Sequence, residues 1–169
     1  MAASDVDESE RSARADHLKE RIYLTFAALA VVITLSTHGH VSAGEAATTL
    51  IVTVMGTLLA VFTADLISHI VVHGSLFTRP ELKHAISSSF GALGTVALPF
   101  LFIGLAAIGV WDVGGALHAS AIALLGSLIV VAWIAVRRIP LTWYQRIVAL
   151  GAEAILGLAV IGLQVLAHG

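Results

Sequence analysis

Five apolar stretches, each close to the length that crosses a bilayer, dominate this sequence: roughly Ile22 to Thr37, Ala46 to Val72, Ala85 to Val110, Gly114 to Val136 and Trp143 to Ala167. Covering about 30 Å of hydrocarbon at 1.5 Å per residue takes about 20 mostly apolar residues. The first stretch is short and the second and third are long, so tilt or extension beyond the hydrocarbon is expected. Composition agrees. Of 169 residues, 58% are hydrophobic and 12% charged, where an ordinary soluble domain carries about 25% charged residues. A water-soluble globule is therefore excluded. A nucleic-acid binder is excluded as well, because the net charge is −2 and no basic face exists. With no cysteine in the chain, disulfide and thiolate chemistry are absent too.

The positive charges set the orientation. Arg11, Arg14, Lys19 and Arg21 precede the first stretch, Arg79 and Lys83 lie between the second and third, and Arg137, Arg138 and Arg146 lie between the fourth and fifth. All nine fall on one side of a five-span bundle. The positive-inside rule then puts the N-terminus in the cytoplasm and the C-terminus outside. The expected fold is an all-α polytopic membrane bundle of five transmembrane helices, spanning 22–169, behind a charged cytoplasmic segment, 1–21. That segment is too polar for a core; Asp7 with Arg11 and Glu10 with Arg14 have the i, i+4 spacing of a solvated helix. One competing reading makes the first stretch a signal peptide cleaved at Val41-Ser42-Ala43, but the six acids ahead of it argue against this.

Local signals place the helix ends. Ser42 to Glu45, Thr78 to Glu81 and Thr142 to Gln145 each match the capping box, in which hydroxyl and carboxylate or amide satisfy orphan backbone donors reciprocally. Asp112 stands where an N-cap would open the fourth span. His38-Gly39, His73-Gly74 and His168-Gly169 put a histidine in a last turn and a glycine at the exit. Pro99 removes one backbone bond to the carbonyl of Thr95, which predicts a kink.

These structural roles account for most polar residues beyond position 21 and leave two acids inside spans, Asp65 and Glu153. An ionisable group at the bilayer centre costs about 2.5 to 3.5 kcal/mol, so neither is expected to face lipid. Their depths differ by roughly 6 Å, which allows one shared pocket. Asp65, His69 and His73 follow at intervals of four and climb one helix face, extended by Thr49, Thr53 and Thr57. Beside this stripe runs Gly56, Ala60, Ala64, Ser68, a ladder of small residues that permits close helix approach.

Such groups suit a small proton or cation channel or transporter, with Asp65, His69, His73 and Glu153 along the pathway and Lys83 and His84 at its cytoplasmic mouth. A divalent metal is a chemically sensible cofactor for Asp65 and His69, and His38, His40 and His118 would gather on the outer face. A b-type haem fits poorly, because His69 lies in the cytoplasmic half and His118 near the outer end. The alternative class is a non-transporting membrane scaffold or accessory subunit. There Asp65 would pair with His69 within one helix and Glu153 would take hydrogen bonds from Ser87, Ser88 and Ser89. Hydrolase and phosphate-loop signatures are absent, so no enzymatic activity is expected. The partners expected are the lipid bilayer and further copies of the chain, brought together by the small-residue ladder.

The acidic and basic head, Arg21-Ile22-Tyr23 where the chain enters the membrane, the Ala, Val and Gly-rich spans and the Asp65-x-x-x-His69 turn together carry one resemblance. The plan resembles small uncharacterised polytopic integral membrane proteins of high-GC Gram-positive bacteria. This implies a multi-pass protein of the plasma membrane and carries over no functional residue.

Overall fold

The computed structural model describes residues 2–137 and, beyond them, 143–145, 147, 148, 151, 155, 157–159, 162 and 166, with side-chain surroundings from residue 15 onward except at 136. The described residues form helices and no strand. In chain order these are α1 (Ala2–Thr37), α2 (Ala43–His73), α3 (Arg79–Ala92), a 3-10 turn (Leu93–Val96), α4 (Ala97–Ala107) and α5 (Val113–Arg137). Three helical stretches are long and apolar enough to cross a membrane: Ala43–His73, Arg79–Ala107 and Val113–Ala135. Among the described residues these are the second, third and fourth of the five expected spans. The 22–37 run is half of a helix whose other half is the charged segment, and most of 143–167 lies outside the described residues.

The capping signals account for the helix starts. The Ser42 amide and hydroxyl both donate to Glu45 Oε2 at 2.9 Å, and the Glu45 amide donates back to the Ser42 hydroxyl at 3.2 Å. The Thr78 amide and hydroxyl both donate to Glu81 Oε2 at 2.7 Å. Asp112 accepts from the Gly115 amide at 2.6 Å and so opens α5. Residue 142 of the third box lies outside the described residues. Truncating a hydroxyl N-cap costs about 1 kcal/mol. Ser42→Ala is therefore expected to lower the melting temperature of the detergent-purified protein modestly, and an unchanged melting temperature would show that packing alone fixes this end.

The helix exits follow the sequence less closely. Gly74 closes α2 at φ 67, its amide bonding to the Ile70 carbonyl at 2.8 Å, as the glycine signal predicts. Gly39 does not adopt this left-handed conformation, whereas Gly109 does, at φ 77, beyond α4. The position of Gly169 lies outside the described residues. The disturbance expected from Pro99 takes the form of the 3-10 turn at Leu93–Val96, one turn toward the N-terminus. There the ladder tightens where the proline leaves the Thr95 carbonyl without its usual donor.

Helix α1 is the central element, packed against α2, α3 and α5, with α4 on α5 and α2. Leu24, Ala28, Leu29 and Val32 of α1 are fully buried against Leu50 and Val54 of α2, Val96, Ile103 of α4, and Leu117, Leu124 and Leu128 of α5. The bundle's outside is equally apolar: Val52, Met55, Leu59, Val71, Leu101, Ile122 and Ile129 are all exposed. A helix apolar on every side is the pattern of a membrane segment, so the outer surface is the one lipid would cover.

Candidate functional site

The packing of α1 against α2 and α3 brings together polar residues that lie far apart in sequence. They line an open cleft of about 780 Å³ at the end of the bundle that carries Lys19, Arg21, Arg79 and Lys83. Asp16, Lys19 and Glu20 come from α1, Asp65, His69 and His73 from α2, and Glu81, His84 and Ser88 from α3. The i, i+4 stripe of α2 thus does face one polar space. Glu153 lies outside the described residues, so the pocket shared with Asp65 is not described. Of the two mouth residues, His84 lines the cleft and Lys83 is exposed beside it.

The cation for Asp65 comes from another helix. Lys19 Nζ donates to Asp65 Oδ1 at 3.1 Å and reaches Asp16 Oδ1 at 3.4 Å, so the within-helix pairing of Asp65 with His69 gives way to a bond between α1 and α2. Burial works against the Lys19 ammonium, but the hydrogen bonds and charges of Asp65 and Asp16 outweigh it and push the amine above its usual range. His69 is stacked on His73 with ring centroids 4.3 Å apart and leans on Phe77 at 4.6 Å. Its Nε2 stands 3.8 Å from Glu81 Oε2, a charged pair whenever the imidazole is protonated. Phe77, on the turn between α2 and α3, thereby seats the histidine stack against the start of α3.

A second link, between α1 and α3, joins Ser88 and His84 to two α1 residues that the sequence does not single out, Glu20 and His17. Ser88 Oγ donates to Glu20 Oε2 at 2.6 Å, both side chains being buried. His17 meets His84 edge to face, with centroids 5.7 Å apart. Burial pushes the Glu20 carboxyl above its usual range; the nearby Asp65 charge adds to this, while the Ser88 bond and the charges of His17 and Lys19 oppose it. Ser88 therefore serves Glu20, and Ser89 bonds back to the Ala85 carbonyl at 3.2 Å. One signal points to Glu20: it precedes Leu24, Ala28 and Val32 at steps of four, so the buried face of α1 runs straight back through it.

The outer-face histidines are separate. His38 donates from Nδ1 to the Thr34 carbonyl at 2.7 Å, His118 donates to the Gly114 carbonyl at 2.8 Å, and His40 is exposed in the turn after α1. Among the described residues no three His, Asp or Glu side chains come together as a metal group. In the threonine stripe, the Thr53 hydroxyl donates to the Thr49 carbonyl of its own helix at 2.9 Å. Gly56, Ala60 and Ala64 are exposed, and Ser68, at the end of that ladder, lines the cleft. No known protein family, curated protein or solved structure matches this chain.

Proposed function

We propose that the chain is a five-span protein of the plasma membrane, N-terminus inside and C-terminus outside, that passes a proton or small cation through the polar cleft at its cytoplasmic end. One observation carries this reading: ionisable side chains from three helices converge on a single open space in an otherwise apolar bundle. Intramembrane ionisable groups mark ion and proton pathways by default. The charge pattern supports the topology, because the loops at 38–42 and 108–112 contain no Lys or Arg. Beyond the cleft, Leu24, Ala28 and Leu29 are fully buried, so the arrangement is a closed one and passage requires the apolar layer to part. In liposomes the purified protein should give a pH or cation flux that Asp65→Asn abolishes. Wild-type vesicles no leakier than empty ones would overturn the reading. The metal variant has its own check: protein purified without chelator should carry stoichiometric divalent metal, and sub-stoichiometric metal would remove it.

The second reading, a non-transporting scaffold or accessory subunit, draws on the exposed small residues Gly56, Ala60 and Ala64 of the ladder, which suit contact with another helix. It expects Asp65→Asn to lower thermal stability or oligomer yield, by freeing Lys19, with no flux to lose.

A further inference from the structure

Glu20 is 3% exposed, the one charged side chain among the described residues that is buried to this degree. Its bonded partner there is neutral, the Ser88 hydroxyl at 2.6 Å. The cation next to it in the chain, Lys19, is directed instead at Asp65 and Asp16. A buried carboxylate without a cation is costly, whereas a neutral carboxyl sharing a hydrogen bond with a hydroxyl is cheap. Glu20 nevertheless lines the cleft, so protons from the cytoplasmic side reach it.

We propose that Glu20, bonded to Ser88 at the base of the cleft, is a proton-binding site that exchanges its proton with the cytoplasm. In the protonated state the carboxyl is neutral and shares the Ser88 bond. On release, the proton leaves a carboxyl oxygen for water in the cleft, giving hydronium and a carboxylate that retains the Ser88 hydroxyl as donor. The groups facing this exchange are Asp16, His17 and Lys19 on α1, Asp65, His69 and His73 on α2, and Glu81 and His84 on α3. Asp65 opposes release by its negative charge, and His17 favours it when protonated. The burial that lifts the carboxyl above its ordinary range accords with this assignment. Its place in transport rests on the pathway reading above, but the proton site itself does not.

Infrared difference spectroscopy against pH, on the full chain in liposomes, tests it together with a flux assay. The wild type should show the carbonyl stretch of a protonated carboxyl that disappears as the pH rises above the ordinary carboxylate range. Glu20→Gln should lose this band. Ser88→Ala, which removes the donor to the carboxylate, should keep the band and move its midpoint to higher pH. Asp65→Asn should move the midpoint to lower pH. A band that survives Glu20→Gln, or a midpoint unmoved by Ser88→Ala, overturns the proposal. Wild-type vesicles with this band but no flux support the site and overturn the pathway reading. Vesicles with flux whose band survives Glu20→Gln overturn the site and leave the pathway reading standing.

Discussion

Leu29→Ala should destabilise the protein by about 2 kcal/mol, while Leu59→Ala should change stability by less than about 0.5 kcal/mol. The two positions hold the same residue in apolar helices, but Leu29 is completely buried at the centre of the bundle and Leu59 is 62% exposed on the outer face of α2. In water a buried Leu→Ala change costs about 2 to 5 kcal/mol, from lost transfer free energy and from the cavity left behind. Lipid tails are as apolar as leucine, so most of the transfer part disappears when the reference is a helix separated in the bilayer. What stays is the lost packing, which places the expected cost at the low end of that range. Leu59 loses only lipid contact, which lipid itself restores. Unfolding titrations in mixed detergent, comparing both variants with wild type, check this contrast. Equal losses at both positions would mean that Leu59 is covered, or that Leu29 does not sit in the bundle's centre.

The same pair of residues shows what was legible in the sequence. Helix starts were, because capping is a local event between residues three apart: Ser42 with Glu45, Thr78 with Glu81, and Asp112 with Gly115 all act where the pattern places them. Pairing of faces was not. In a soluble helix the polar side marks the outside, but α2 buries Leu50 and Val54 while exposing Val52 and Val71. With the same residue types on both sides, periodicity carries little information about which face meets a neighbour. The site divides along the same line. The Asp65, His69, His73 stripe was legible because it repeats within one helix. Lys19 as partner of Asp65, and Ser88 as partner of Glu20, depend on how α1 lies against α2 and α3. The i, i+4 charge spacing of residues 1–21 points to a solvated helix, and α1 does run unbroken from Ala2 to Thr37, but that Lys19 and Glu20 meet partners on α2 and α3 depends on the same pairing of faces.

Glu20→Gln should make the folded protein more stable near neutral pH and flatten the dependence of its stability on pH. The folded chain raises the affinity of this carboxyl for its proton, chiefly by burial. A group raised in this way contributes its full stabilisation below the unfolded carboxyl range, near pH 4, and loses it as the pH climbs through the raised value. Wild type should therefore weaken as the pH rises above about 4, as folding comes to require a buried carboxylate with a hydroxyl for company. Glutamine keeps the shape and still offers an oxygen to Ser88, while its amide hydrogens can be met by water in the open cleft. The gain at neutral pH should be on the order of 1 to 3 kcal/mol, the usual cost of burying a polar group with incomplete partners. Below about pH 4 the two proteins should melt together, because the carboxyl is then neutral in the folded and the unfolded chain alike. The other carboxylates and histidines of the cleft titrate in both proteins, so the difference between the two melting curves isolates Glu20. Curves that run parallel from below about pH 4 to neutral pH would show that folding leaves the proton affinity of Glu20 unchanged, and would overturn this expectation.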